Sequence, residues 1–132
     1  PLFLDCCGLV RRIMRDLRKN FGFCLGPWNQ SYQYDTLPNV IEKLEDVLPG
    51  DLVFTAATFY KPRVKPQKHD LTHVEIFLGQ GAKTIGSRWH AGKVQEFEDF
   101  KFVSTSYHSQ KYIFKSIDTW LKGVCKRLAY VH

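Results

Sequence analysis

The order of strand-like runs constrains this chain more than any other feature of its sequence. Leu52-Val53-Phe54 reads as a buried strand, because it is apolar and follows the turn signal Pro49-Gly50-Asp51. His73 to Leu78, H-V-E-I-F-L, reads as a strand from its alternation. Gly79-Gln80-Gly81 then turns the chain into a partner at Lys83 to Trp89. Further strands are expected at Lys93 to Phe97 and Tyr112 to Lys115. Strands that succeed one another at such spacing pair antiparallel, since parallel pairing needs long crossovers. A helix is expected before them and another after, so the fold class is α+β with a mainly antiparallel sheet. At 132 residues the chain has room for one domain.

The first helix begins at Asp5, whose carboxylate suits an N-cap. Leu9, Val10, Ile13, Met14 and Leu17 recur at helical spacing, and Arg11, Arg12, Arg15, Arg18 and Lys19 fill the opposite face. Gly22 ends the helix. Residues 24–38 read as an irregular aromatic connection with a turn at Gly26-Pro27, followed by a short helical turn at Val40 to Leu44. Lys61 to Lys68, with Pro62, Pro66 and four basic residues, is an exposed loop. Asp118 is expected to cap a last helix that aligns Trp120, Leu121, Val124, Cys125 and Leu128.

Ten Phe, six Tyr and three Trp exclude a disordered solvating chain. Nineteen basic against 13 acidic residues give a formal charge of +6, which points to anionic partners or substrates without choosing among them. The basic residues are not interleaved with aromatics on a platform, so nucleic acid is not the expected partner. Cysteines at 6, 7, 24 and 125 have no scaffold spacing. Free thiols and a reducing, cytoplasmic setting are therefore expected. No apolar run reaches the ~20 residues of a membrane span, and no signal peptide opens the chain. A start at Pro1, five residues before Cys6, reads as a processed or excised piece.

Two residue types carry the chemistry. Cys6 stands in the first turn of the first helix, where amide protons and the helix dipole favour a thiolate. The plainer alternative is a small apolar packing residue. His73 opens a strand, and an imidazole there can take a thiol proton across a helix–sheet interface. A satisfied polar residue at a strand end is its plainer alternative. The Cys6 backbone amide is available as an oxyanion donor. His69 and His73 lack cysteines at zinc spacing, and G-Q-G-A-K lacks the setting of a phosphate loop, so no metal or cofactor is expected.

The local strings are more specific than either residue. F-L-D-C-C-G-L-V at 3–10 resembles the D-C-S-G-L-V nucleophile segment of the NlpC family of papain-like cysteine peptidases (NlpC and p-sixty endopeptidases). L-P-G-D-L-V-F at 48–54 resembles that family's L-x-P-G-D-L-V-F strand, and H-V-E-I-F-L-G at 73–79 its H-V-G-I-Y-L-G histidine strand. Trp28 to Gln33 sits where the family has R-x-S-x-Q. The matched stretch covers roughly residues 3–90, about two thirds of the chain. The resemblance implies a papain-like domain and thiol-dependent amide hydrolysis. It makes Cys6 the nucleophile, His73 the general base, Asp5 the cap before the nucleophile and Cys7 a packing residue in the family's serine place. Cys24 and Cys125 are also expected to pack.

The third catalytic member departs from the pattern. The family carries a polar residue, often histidine, on the next strand, where this chain has Ile85-Gly86. With Gly79 to Ala82 as the turn, His73 falls opposite Arg88, and Gly86, Arg88 and His90 share its face. His90 is then the candidate for orienting the imidazole. A one-residue slip favours Ser87, and a backbone or other group is the remaining option. Glu75 stands where the family has a small residue. Trp28, Gln33, Tyr34, Asp5 and Ser87 are expected around the substrate. That substrate is a peptide or isopeptide, with acidic character suggested by the basic loop. A papain-like acyltransferase and a non-catalytic binding module with the same fold are the alternatives.

Overall fold

Eleven residues from Cys6 to Asp16 form α1, a computed structural model shows, and residues 4–88, 92–125 and 129–130 are described. Leu9, Val10 and Met14 are buried on its apolar face, while Arg12 and Arg15 face solvent. The helix breaks at Leu17 and resumes as the single turn α2 (Arg18–Phe21), closed by Gly22 in the left-handed conformation. The expected continuous helix is thus two pieces. The connection after it is more regular than its composition suggests. It contains β1 (Cys24–Leu25) and α3 (Gln30–Asp35), the latter capped by the Asn29 side chain on the Ser31 and Tyr32 amides. Sequence reasoning missed α3 because the cap, not apolar periodicity, starts it.

The expected helical turn at Val40 to Leu44 is instead β2 (Val40–Ile41), followed by a 3₁₀ turn at Leu44–Asp46. The central strands are β3 (Leu52–Phe59), β4 (Leu71–Phe77), β5 (Thr84–Gly86), β6 (Gln95–Phe97) and β7 (Tyr107–Lys115). They form a six-stranded sheet in the order β2-β7-β3-β4-β5-β6, antiparallel throughout its ladders. The α+β class and the antiparallel sheet follow the sequence. Strand lengths do not: β3 and β7 run longer because each pairs along nearly its whole length with the other.

The extended C-terminal helix is not observed. α4 (Asp118–Leu121) is one turn, capped by Ile117 without any side-chain bond, and Gly123 turns left-handed two residues later. A positive φ at Gly123 stops the helix before Val124 and Cys125 can join its face. Leu128 lies outside the described residues. β8 (Ala129–Tyr130) pairs antiparallel with β1.

Cores lie on both faces of the sheet. Val10 and Met14 of α1, Leu37, Phe54, Leu71, Val74 and Trp120 fill one. Val47, Val53, Phe77 and Phe100 fill the other, with Tyr112 and Phe114 against them. α1 lies over β4 and β1, which brings its N-terminus to the start of β4.

Candidate active site

Asp5 fixes the start of α1. Its carboxylate accepts the Gly8 N–H at 2.7 Å, so the cap uses the third amide of the helix and leaves the Cys6 amide beside the sulfur. Gly8 is required for this arrangement: a Cβ there would lie 2.3 Å from the Asp5 Oδ1 that makes the cap. Gly8→Ala is expected to displace the carboxylate and cost about 1 kcal/mol, the usual worth of an N-cap. Urea unfolding measures it, and an unchanged midpoint would contradict the role given to the cap. On the other side, the buried Gln33 donates from Nε2 to the Cys7 carbonyl at 2.9 Å, tying α3 to the same turn.

His73 and Cys6 line one cleft of about 430 Å³, together with Asp5, Ser87, Arg88 and Tyr107. β5 pairs with β4 only at Ile76 and Phe77, so the first half of β4 has no partner strand on that side. The Val74 backbone amide pulls the Cys6 thiol downward there. His73 spends its Nε2 on Glu75 Oε2 at 2.7 Å, and its ring lies edge-on to Phe102. The nitrogen left for proton transfer is Nδ1.

The partner that fixes the His73 ring is Glu75, and it comes from the histidine's own strand. Residues two apart on a strand share a face, so Glu75 sits beside His73 without any register requirement. Its carboxylate also accepts from Arg88 Nε at 2.6 Å, Arg88 Nη2 at 2.9 Å and Thr84 Oγ1 at 2.5 Å. The side chains of His73, Glu75 and Arg88 are only 5%, 2% and 8% exposed. Arg88 stacks on Phe97 and Phe102, its guanidinium carbon 3.7 and 4.3 Å from their ring centres. Room for Glu75 comes from Gly86, opposite it on β5, where a Cβ would lie 2.7 Å from the Glu75 Cγ.

Burial alone would raise the Glu75 carboxyl, but the Arg88, His73 and Thr84 hydrogen bonds overcome it and hold the group at about 2. A carboxyl depressed on folding stabilises the native state above its unfolded value and loses that contribution as pH falls through the folded value. Stability is therefore expected to decline by about 3 kcal/mol between roughly pH 5 and pH 2 on account of this group. Replacing Glu75 should flatten that part of the pH–stability curve. A variant whose acid limb matches the parent's would remove the assignment.

The two adjacent thiols differ. A hydrogen bond with Cys7 and burial push the Cys6 thiol well up, against the pull of the Val74 amide. The same bond with Cys6 and the Arg11 guanidinium hold the Cys7 thiol low despite burial, with Arg11 Nη1 3.3 Å from the sulfur. Cys7 belongs to the core, as expected, yet it also carries a charged contact that the sequence did not suggest.

Not every sequence-predicted residue reaches the cleft. Asp5, Cys6, His73 and Ser87 line it; His90 lies outside the described residues. Trp28 packs its ring over Gly26 and against Tyr32, on the rim of a different depression with Asp35 and Lys68. Tyr34 stands edge-on to Phe54 at 5.2 Å and receives the Lys115 ammonium on its face at 3.7 Å. Gln33 supports α1 from behind. These three do not touch the cleft, because α3 turns them toward the core and the far surface. The wall opposite β4 is the segment Phe102 to Tyr107, which sequence reasoning did not single out. Its polar V-S-T-S run marks a loop, and only the path of β7 brings it to Cys6.

No protein-family model, curated protein or solved structure matches this chain. Among the described residues no helix is long and apolar enough to cross a membrane, and no group of three or more His, Cys, Asp or Glu is placed to hold a metal.

Proposed function

We propose that this chain is a thiol-dependent hydrolase, a divergent papain-like domain of the NlpC type, which cleaves an amide or isopeptide bond through a thioester on Cys6. The observation that carries the reading is the buried chain His73–Glu75–Arg88, opening beside Cys6 in a single cleft. Its order imidazole, carboxylate, guanidinium fixes which nitrogen of His73 faces outward. The sequence strings around Cys6, Pro49 and His73 support it independently.

Cys6 rests as a neutral thiol, so it needs a base during attack. His73 Nδ1 takes the S–H proton as the sulfur bonds to the carbonyl carbon. Glu75 accepts the Nε2 proton throughout and stabilises the imidazolium. The oxyanion meets the Cys6 amide, and Ser87 Oγ is the second donor. On collapse the C–N bond breaks and the amine leaves with the proton from His73. Water then attacks the thioester, giving its proton to His73, and the acid departs as the thiol is restored.

Among the described residues, Ser87 Oγ is buried without a hydrogen-bond partner. A hydroxyl in that condition pays its desolvation without return until a substrate supplies the bond. Ser87→Ala is expected to lower kcat about 10²-fold while leaving thermal stability unchanged. A loss of stability with unaltered kcat would reassign Ser87 to the fold.

The experiment for the reading itself is alkylation by iodoacetamide at pH 7, resolved by peptide mass spectrometry. Although its resting thiol is neutral, Cys6 should react faster than Cys24 and Cys125 because His73 takes its proton as the new bond forms, and His73→Ala should remove the difference. Equal rates at all three sites would end the hydrolase reading and favour a binding module. With a peptide library, a trapped Cys6 thioester released by added amine but not by water would turn it to acyl transfer.

A further inference from the structure

A groove of about 660 Å³, larger than the Cys6 cleft, runs along the outer side of α1, floored by Cys24, Leu25 and Pro27 and edged by Arg11, Arg12, Arg15 and Arg18. Arg12 is neutralised by Asp16 at 3.1 Å. Arg11 holds the Trp28 carbonyl at 2.8 Å and lies 3.9 Å from Asp5. Arg15 and Arg18 have no acidic partner among the described residues, and Arg18 instead donates to the Arg15 carbonyl at 3.0 Å. Their charge is unspent and points into a concavity.

Asp5 lines both this groove and the Cys6 cleft, so the two meet at the start of α1. By contrast Lys61, Arg63, Lys65 and Lys68 line neither, and Lys68 is paired with Asp35 at 2.8 Å. The basic loop that first suggested an acidic substrate does not border the chemistry; the arginine edge does.

We infer that the α1 groove binds an extended acidic peptide segment of the molecule whose amide bond enters the Cys6 cleft. The inference rests on the hydrolase reading for its direction. At 1.5 Å per residue, Arg15 stands about 14 Å along α1 from Cys6. An extended chain covers that distance in about four residues, which places the acidic side chains about four and five positions from the scissile bond. A nucleic acid would need stacking surfaces that Leu25 and Pro27 do not offer, and a membrane would not seat in a concave groove. Guanidinium groups, in turn, are suited to carboxylates by their paired donors.

Fluorescence anisotropy with labelled deca-glutamate, on the full chain carrying Cys6→Ala, tests the groove without any need for turnover. Binding should weaken about tenfold in the Arg15→Ser/Arg18→Ser variant and decline steeply with salt. A deca-glutamine peptide should not bind. Equal affinity in parent and variant overturns the inference, and so does tighter binding of a single-stranded oligonucleotide or of phosphatidylserine vesicles than of the peptide. In the parent protein deca-glutamate should also slow alkylation of Cys6. Binding to a chain whose Cys6 is unreactive would uphold the groove while ending the hydrolase reading; reactive Cys6 without peptide binding would do the reverse.

Discussion

Glu75→Gln is expected to lower kcat by about 10³- to 10⁴-fold. The carboxylate accepts His73 Nε2 at 2.7 Å, which obliges the imidazole to keep its proton there and present Nδ1 as the base. An amide in the same place has one acceptor oxygen, and Arg88 competes for it through two donors. His73 then loses both its fixed tautomer and the charge that stabilises imidazolium. Rescue by a conservative variant separates this role from a structural one: Glu75→Asp, which keeps a carboxylate, should recover part of the rate that Glu75→Gln loses. A kcat within fivefold of the parent's, at equal fold content by circular dichroism, would remove Glu75 from the mechanism. Glu75→Ala should be worse in a different way. It leaves the Arg88 guanidinium buried and unpaired, which costs about 3–5 kcal/mol.

Trp120→Ala is expected to destabilise the chain by about 3–5 kcal/mol. The indole is 1% exposed, stands edge-on to Phe23 with ring centres 6.5 Å apart, and donates from Nε1 to Thr36 Oγ1 at 3.0 Å. Its removal leaves a large cavity between α4 and the end of α3. The Thr36 hydroxyl keeps its bond to the Gln33 carbonyl, so the loss is mainly one of packing. Trp120→Phe, which retains most of the ring, should cost only about 1–2 kcal/mol. Equilibrium urea denaturation measures both, and an alanine variant within 1 kcal/mol of the parent would contradict the packing. The effect reaches the site through α3, whose Gln33 holds the Cys7 carbonyl.

The opening of α1, the histidine strand and the antiparallel class were legible because each depends on neighbours in sequence. Asp5 caps a helix three residues ahead, and His73 alternates with its own strand. The pairing of β4 with β5 was legible too: Ile76 lies opposite Ile85 and Phe77 opposite Thr84, the register that the Gly79 to Ala82 turn requires. Alternation along β4 alone sets Glu75 beside His73, while His90 lies outside the described residues. Gly86 leaves the room that the Glu75 side chain fills, and the same register sets the two residues opposite each other.

The cleft wall at Phe102 to Tyr107 was not legible, since it is decided by contacts between distant segments; α3 and the short α4 were missed although the Asn29 cap and the left-handed Gly123 that set them are local. Local sequence determined where Cys6 and His73 stand on their own elements, because capping and strand alternation act over two to four residues. Only the tertiary structure decided what surrounds them. Arg88 reaches Glu75 across the sheet, Gln33 reaches Cys7 from α3, and the arginine edge of α1 meets the floor of β1. Those contacts are set by how helices and sheet pack, and packing is a property of the whole chain.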